Sequence, residues 1–280
     1  MNGTDSPQKI GRLLLDAGKL KLQDIDLIVS YQKEHGLRFG EAAVKLGLVV
    51  ESDIQQMLAQ QFNYPYLQPG EGGFSGRLTA AYQPFSNQVE SIRNLRSQLV
   101  MRWFDEERKQ LALAGLGAED SGSILAANLA VVFSQMGQRT ILVDANLRNP
   151  RQHQLFNLPQ SAGLSEMLAG HANMEAICKI PHFADLSVLT SGALPPNPQE
   201  LLGRPAFKLL MGNLSKNYDI ILLDTPNGML YADTQMIVTE AGAALLVMDK
   251  NQTRMNDALA LQAQLADINA HVVGAALNEF

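Results

Sequence analysis

The sequence predicts an α/β protein: a P-loop-type parallel sheet flanked by helices, preceded by a small all-α N-terminal domain. Three observations predict it. Past residue 110 the chain alternates short apolar runs with helical stretches, the pattern of a sheet covered on both faces. The first run, Leu111 to Ala114, leads through a small-residue loop into the apolar stretch Ile124 to Phe133, the strand–loop–helix layout of a nucleoside-triphosphate site. Residues 9–61 also repeat themselves: Gly40 follows Gly11, Gly47 follows Gly18 and Gln61 follows Gln32, each at the same interval.

Bulk composition bounds the possibilities. A chain of 280 residues with 46% hydrophobic content suits two modest domains. Net charge is −6 and there is no lysine- or arginine-rich block, so a nucleic acid polymer is not an expected partner. The single cysteine, Cys178, excludes an internal disulfide framework and a multi-cysteine metal site. Residues 1–8 are polar, and are expected to be a disordered tail with no signal peptide. The longest apolar runs fall far short of the ~20 residues a bilayer span needs. A cytoplasmic chain is therefore expected, peripheral at the inner membrane only through a partner. The expected organisation is a helical repeat over 9–67, a Gly-rich linker over 68–84 and the sheet domain over 85–280.

Each copy of the repeat reads as a short helix, a glycine break and a second amphipathic helix. Gly18 and Gly47 fit helix stops. Asp24 and Asp53 fall in first turns, where negative charge suits the helix dipole. Lys9-Ile-Gly11 recurs as Arg38-Phe-Gly40. With its aliphatic spacing and closing Gln32 and Gln61, this pattern resembles the cyclic-di-GMP-binding N-terminal domain of MshE-type and type II secretion ATPases. The resemblance implies a cyclic-di-GMP site built from Lys9, Gly11, Gly18, Gln32, Arg38, Gly40, Gly47 and Gln61. Basic Lys9 and Arg38 would pair with phosphates, and glycines would let backbone amides approach them.

Strands are predicted at 111–114, 140–143, 186–189, 220–223, 243–248 and 272–277. The run Ile141-Leu-Val-Asp144-Ala-Asn-Leu-Arg148 ends a strand in an acid, and Ile220-Ile-Leu-Leu-Asp224 does the same. Acids at strand ends can hold Mg²⁺ or orient its waters. Glu90-Ser-Ile-Arg93-Asn-Leu-Arg96 places charges on adjoining helix faces. In Asn197-Pro-Gln-Glu200 the sequence carries a helix start, with asparagine as N-cap and proline at the first position. Together these motifs make residues 90–280 resemble the cytoplasmic catalytic domain of the bacterial tyrosine kinases of exopolysaccharide chain-length control. The resemblance implies ATP and Mg²⁺ as cofactors, with Ser121, Gly122 and Ser123 at the phosphates. Asp144, Arg148 and Asp224 would be catalytic, and Ser123, Asp144 and Asp224 would surround the metal. Asn278 is a candidate for lining the base pocket, with inward packing as the equal alternative. Glu90, Arg93 and Arg96 would mediate ring assembly between subunits. His153 reads as a helix-start surface residue, since no second histidine or cysteine lies near it in sequence.

The chain departs from that family at the phosphate loop. No lysine occurs between Lys109 and Lys179, and Gly122 stands where Gly-Lys-Ser/Thr would place one. Asn146 replaces the second acid of the first strand-end motif, and no tyrosine follows Tyr231, so there is no C-terminal tyrosine cluster. The expectation is a kinase-like protein of exopolysaccharide synthesis or export with degenerate catalysis and weak or absent ATP and Mg²⁺ binding. It would be regulated by cyclic-di-GMP and would dock on a membrane chain-length determinant (the polysaccharide copolymerase), as a homo-oligomer or with an active kinase. The alternatives are an active ATP-dependent protein-tyrosine kinase with a relocated basic residue, and a positioning ATPase of the ParA/MinD type.

Overall fold

The computed structural model of the chain describes residues 6–61, 64–68, 70–117 and 120–279; the side chains of residues 6–9 and 60 lie outside that description. The chain forms two units, Met1–Pro65 and Tyr66–Phe280.

The smaller unit contains four helices: α1 Ser6–Asp16, α2 Leu22–His35, α3 Phe39–Lys45 and α4 Glu51–Gln61. Helix α1 takes in residues 6–8 of the stretch expected as a tail; residues 1–5 lie outside the described residues. The repeat is visible in the backbone. Gly18 and Gly47 both sit at φ 68°, the left-handed conformation that ends α1 and α3 at no Cβ cost. Asp24 accepts from the Lys21 amide at 2.7 Å and Asp53 from the Val50 amide at 3.1 Å, so equivalent acids cap the equivalent helices. Leu14, Leu20, Ile28, Phe39, Val49, Ile54 and Met57 form the core.

In the larger unit, α5 Thr79–Tyr82 and α6 Asn87–Arg102 precede a seven-stranded sheet. The strands are β1 Gln110–Gly115, β2 Thr140–Asp144, β3 Cys178–Lys179, β4 Leu186–Leu189, β5 Ile220–Asp224, β6 Ala243–Asp249 and β7 His271–Asn278. Their order is β3-β4-β2-β5-β1-β6-β7, parallel except for β3. All six predicted strands are present. The seventh, β3, has two residues and offers too little periodicity to be read from sequence.

Alternate strand residues divide between two cores. Leu111, Leu113, Leu142, Leu222, Leu245 and Val247 face one core with α6 and with α7 Ser121–Ser134. Ala112, Ala114, Ile141, Val143, Ile221 and Leu223 face the other, beneath α11 Pro205–Asn217, α12 Asp233–Ala241 and α13 Met255–Asp267. Helix α7 is buried along its whole length, which is why its sequence is apolar on every face. The shorter helices α8 Gln152–Leu155, α9 Leu164–Ala169 and α10 Pro198–Leu202 carry the connections.

The segment expected as a linker is not free chain. Leu78, Ala80 and Ala81 are buried in the larger unit's core. Its glycines supply turns, Gly70, Gly72 and Gly73 all at positive φ, and these suggested a hinge when read by composition alone. Buried Asn128 of α7 pins the same segment. Its Oδ1 accepts from the Ala80 amide at 2.8 Å and the Thr79 hydroxyl at 3.3 Å, and its Nδ2 donates to the Arg77 carbonyl at 3.0 Å.

Candidate nucleotide and metal site

Strand β1 ends at Gly115, and α7 begins six residues later at Ser121, its N-terminal amides facing the C-terminal edge of the sheet. This is the edge where open parallel sheets bind ligands. The loop between is fastened from below. The Gly228 amide donates to the Gly115 carbonyl at 2.9 Å, and Asn227 Nδ2 donates to the Gly117 carbonyl at 3.2 Å. A Cβ on Gly117 would fall 2.0 Å from the Asp249 carboxylate, so only glycine lets the loop cross there. Residues 118 and 119 lie outside the described residues. Ser121, Gly122 and Ser123, read from sequence as the end of the small-residue loop, form the first turn of α7, and Gly122 carries no charge into it.

Asp144 and Asp224 end adjacent strands and are register partners, both fully buried. Asp144 Oδ2 accepts from the backbone amides of Arg151 at 3.1 Å and Gln152 at 2.9 Å. Asp224 Oδ2 accepts from Gln152 Nε2 at 2.8 Å, and the same amide donates to the Ser123 carbonyl at 3.0 Å. Burial pushes Asp144 well above the usual carboxylate range, and the neighbouring Asp224 charge pushes it further. Burial likewise pushes Asp224 up to about 6; the Gln152 amide and the nearby Ser123 hydroxyl pull it back, while the Asp120 charge raises it. Asp144 Oδ1 and Asp224 Oδ1 are buried and make no hydrogen bond, and the Ser123 hydroxyl is buried against Asp224. Buried oxygens without partners are costly. Two carboxylates and a hydroxyl are also a hard-oxygen donor set suited to Mg²⁺. The residues present therefore fit the metal that the sequence pattern implies. Among the described residues no group of three or more histidine, cysteine or acidic side chains offers a rival metal site.

Arg148 does not reach the loop. Its guanidinium forks onto buried Asp233, Nε to Oδ2 at 2.8 Å and Nη2 to Oδ1 at 2.9 Å, and stacks over the Tyr231 ring at 4.1 Å from its centre. Asn146 is likewise turned to local use: its Oδ1 accepts from the Asn149 amide at 3.0 Å and its Nδ2 donates to the Asn149 carbonyl at 3.0 Å. The cations nearest the head of α7 come from residues the sequence did not single out. Asp120, the residue before Ser121, pairs with Arg151 Nε at 2.7 Å and with Arg77 Nη1 at 3.3 Å. With Ser121, Asp249, Lys250 and Asn278 they line a cavity of about 480 Å³. Asn278 and Glu279 also border a second, more apolar cavity of about 700 Å³ between α6 and β7, lined by Asn87, Gln88, Ile92, Leu95 and Leu125. Arg77 escaped notice inside the expected linker. Arg151 and Gln152 sit in an Asn-Pro-Arg-Gln run whose register to the loop is set by the fold.

On α6, Glu90 and Arg93 pair at 3.2 Å, whereas Arg96 donates to the Val132 carbonyl of α7 at 2.7 Å and so binds helix to helix. In the smaller unit a cavity of about 780 Å³ between α1 and α2 is lined by Gly11 and Gln32, with Arg12, Asp16 and Asp26. Gly18, Arg38, Gly40, Gly47 and Gln61 do not line it, and the Lys9 side chain lies outside the described residues. Gly11 and Gly40 have a packing reason of their own. A Cβ would come within 3.2 Å of Phe39 and 3.0 Å of Ile54, respectively.

A parallel sheet with a glycine loop running into a buried helix, above two strand-end acids, defines the P-loop nucleoside-triphosphatase class of fold. The chain is 33% identical to the tyrosine-protein kinase YwqD of Bacillus subtilis over 199 residues, covering 71% of this chain and 84% of YwqD. It therefore belongs to the bacterial tyrosine-protein kinase family. Among solved structures, the chimerical protein CapA2B2 matches with TM-score 0.69 and 29% identity over 80% of this chain and 98% of that one. The kinase domain of Escherichia coli tyrosine kinase ETK matches with TM-score 0.69 and 29% identity over 72% of this chain and 79% of that one. The cell division ATPase MinD of Pyrococcus furiosus, at 24% identity and TM-score 0.53, shares the fold alone. No protein-family model matches the chain. Among the described residues no helix is long and apolar enough to cross a membrane.

Proposed function

We propose that this chain is a tyrosine-kinase-like protein of exopolysaccharide synthesis or export that acts mainly by binding. It keeps a nucleotide and Mg²⁺ pocket but grips and transfers phosphate poorly. The observation that carries the reading is the contrast within one site: the buried oxygens of Ser123, Asp144 and Asp224 are in place, while position 122 holds no cation. A loop lysine ~4 Å from a phosphate is worth at most about 4 kcal/mol at an effective dielectric near 20, before desolvation is counted. Its loss weakens nucleotide binding and removes charge stabilisation from the transition state.

The face of α6 that carries exposed Glu90 and largely covered Arg93 would dock a kinase subunit or the membrane chain-length protein. The smaller unit would answer to cyclic-di-GMP, through the cavity that carries Gly11, Gln32 and Arg12. The protein would be cytoplasmic and reach the inner membrane through its partner. The deciding measurement is ATP binding together with phosphotyrosine formation, with Mg²⁺ and the partner's cytoplasmic segment present. Robust turnover abolished by Asp144→Ala refutes this reading. It would promote the second one, an active kinase with a relocated basic residue, which the approach of Arg77 and Arg151 to the head of α7 favours.

A further inference from the structure

We propose that Arg151 and Arg77 form the phosphate-binding cation pair of this site, replacing the lysine absent from the loop, and that Asp120 is a built-in anion that occupies them until a polyphosphate displaces it. The inference rests on the nucleotide-site reading above and names the residues that would make it work.

Four observations carry it. First, Asp120 stands at the N-cap of α7 yet its side chain caps no helix amide; its oxygens are spent on the two arginines, at 2.7 and 3.3 Å. A carboxylate held between two guanidiniums at a helix N-terminus has the charge and surroundings of a bound phosphate. Second, both arginines are positioned by buried groups of the site. The Arg151 backbone amide donates to Asp144, and the Arg77 carbonyl accepts from Asn128 of α7. Their bases are fixed while their tips stay partly open to solvent, Arg77 by 55% and Arg151 by 29%. Third, the cavity they line borders Ser121 and shares Asn278 and Glu279 as walls with the more apolar cavity beside α6, so a charged and a flat apolar subsite lie next to each other. Fourth, the unpartnered oxygens of Asp144 and Asp224, with the buried Ser123 hydroxyl beside them, lie at the same end of the sheet and suit the metal that accompanies a polyphosphate.

Charge decides the direction of the effect. Around the cavity Arg77, Arg151 and Lys250 face Asp120, Asp249 and Glu279, with Lys250 already paired to Glu279 at 2.7 Å. Among the described residues the cavity's charges are thus balanced without ligand. An incoming polyphosphate must either push Asp120 aside or lie against its charge. Neutralising Asp120 should therefore strengthen binding, the reverse of what a structural salt bridge alone would give.

The test is calorimetric titration of the full chain with Mg·ATP and, separately, with inorganic tripolyphosphate, beside the ligand-induced shift in melting temperature. Asp120→Asn should bind both about tenfold or more tightly than the unaltered chain. Arg151→Ala should bind about tenfold or more weakly and Arg77→Ala severalfold more weakly, with Arg151→Lys between. Asp120→Asn combined with Arg151→Ala should not regain the tighter binding. Circular dichroism of each variant checks the fold, and only variants that keep it are compared. Unchanged or weaker binding in Asp120→Asn, or unchanged binding in Arg151→Ala, overturns the inference and leaves the nucleotide site standing. No binding by the unaltered chain, by Asp120→Asn or by Gly122→Lys sinks the nucleotide-site reading, and this inference with it.

Discussion

Restoring the missing cation is the sharpest test of how this site lost its grip. In Gly122→Lys the new Cβ would meet only the Gly115 backbone, 3.6 Å from its Cα and 3.9 Å from its nitrogen, which is ordinary contact. The Cβ of the substituted residue is therefore accommodated. In the ligand-free chain two small terms oppose each other. Replacing glycine inside a helix gains up to about 0.7 kcal/mol of propensity. A cation in the first turn costs about 0.3–1 kcal/mol against the helix dipole. Ligand-free stability should hence move by less than about 1 kcal/mol. With polyphosphate present, an ammonium ~4 Å from the phosphate contributes up to about 4 kcal/mol, reduced by desolvation of the lysine. The expected gain is roughly 10- to 1,000-fold in Mg·ATP affinity. Calorimetric titration of Mg·ATP into both chains, with urea melts alongside, separates the two effects. Equal affinities in two equally stable chains would refute the argument that charge at position 122 limits binding, and would throw the weight onto Asp120 and the arginines.

Three further outcomes follow from named groups. Asp144 and Asp224 have folded-state pKa values above their unfolded ones, so the stability they contribute is full below about pH 4 and lost as pH rises; for Asp224 that loss runs to about 6. Thermal melts without divalent cations should fall across that window, Mg²⁺ should restore stability most at its upper end, and Asp144→Asn should flatten the slope; a flat profile in the unaltered chain contradicts the buried-pair assignment. Asn128→Ala should cost about 2–4 kcal/mol by chemical denaturation, because it strands the buried Ala80 amide and the Arg77 carbonyl together, and it should also weaken tripolyphosphate binding by freeing Arg77. If the smaller unit is a cyclic-di-GMP receptor, calorimetry should show a heat of binding that Arg38→Ala removes; Arg12→Ala asks whether the cavity beside α2 is the seat, and binding that survives both changes argues against a phosphate-pairing site there.

Much of the fold was legible because the signals are local. The apolar runs 141–143 and 220–223, ending in Asp144 and Asp224, read as buried parallel strands, and β2 and β5 appear there. The glycines of the repeat read as helix stops, and Gly18 and Gly47 adopt the left-handed backbone such stops require. Both strand-end acids were legible for the same reason: each closes an apolar run whose strand character is written in its neighbours.

What the chain order alone determined is which elements exist, that two acids end neighbouring-type strands, and that no lysine stands in the loop. Which side chains meet was decided by the sheet order, since β2 lies beside β5 while β1 lies on the far side of it. That arrangement sets Asp144 against Asp224 and lowers Gln152 between them. It keeps Arg148 on Asp233, 85 residues away in sequence, rather than at the phosphates. It also folds a Gly-rich stretch that composition marks as free chain onto α7, carrying Arg77 to Asp120, 43 residues on. Contacts at such separations leave no periodic trace in a single sequence, because each partner satisfies its own local pattern and the pairing exists only once the strands are ordered.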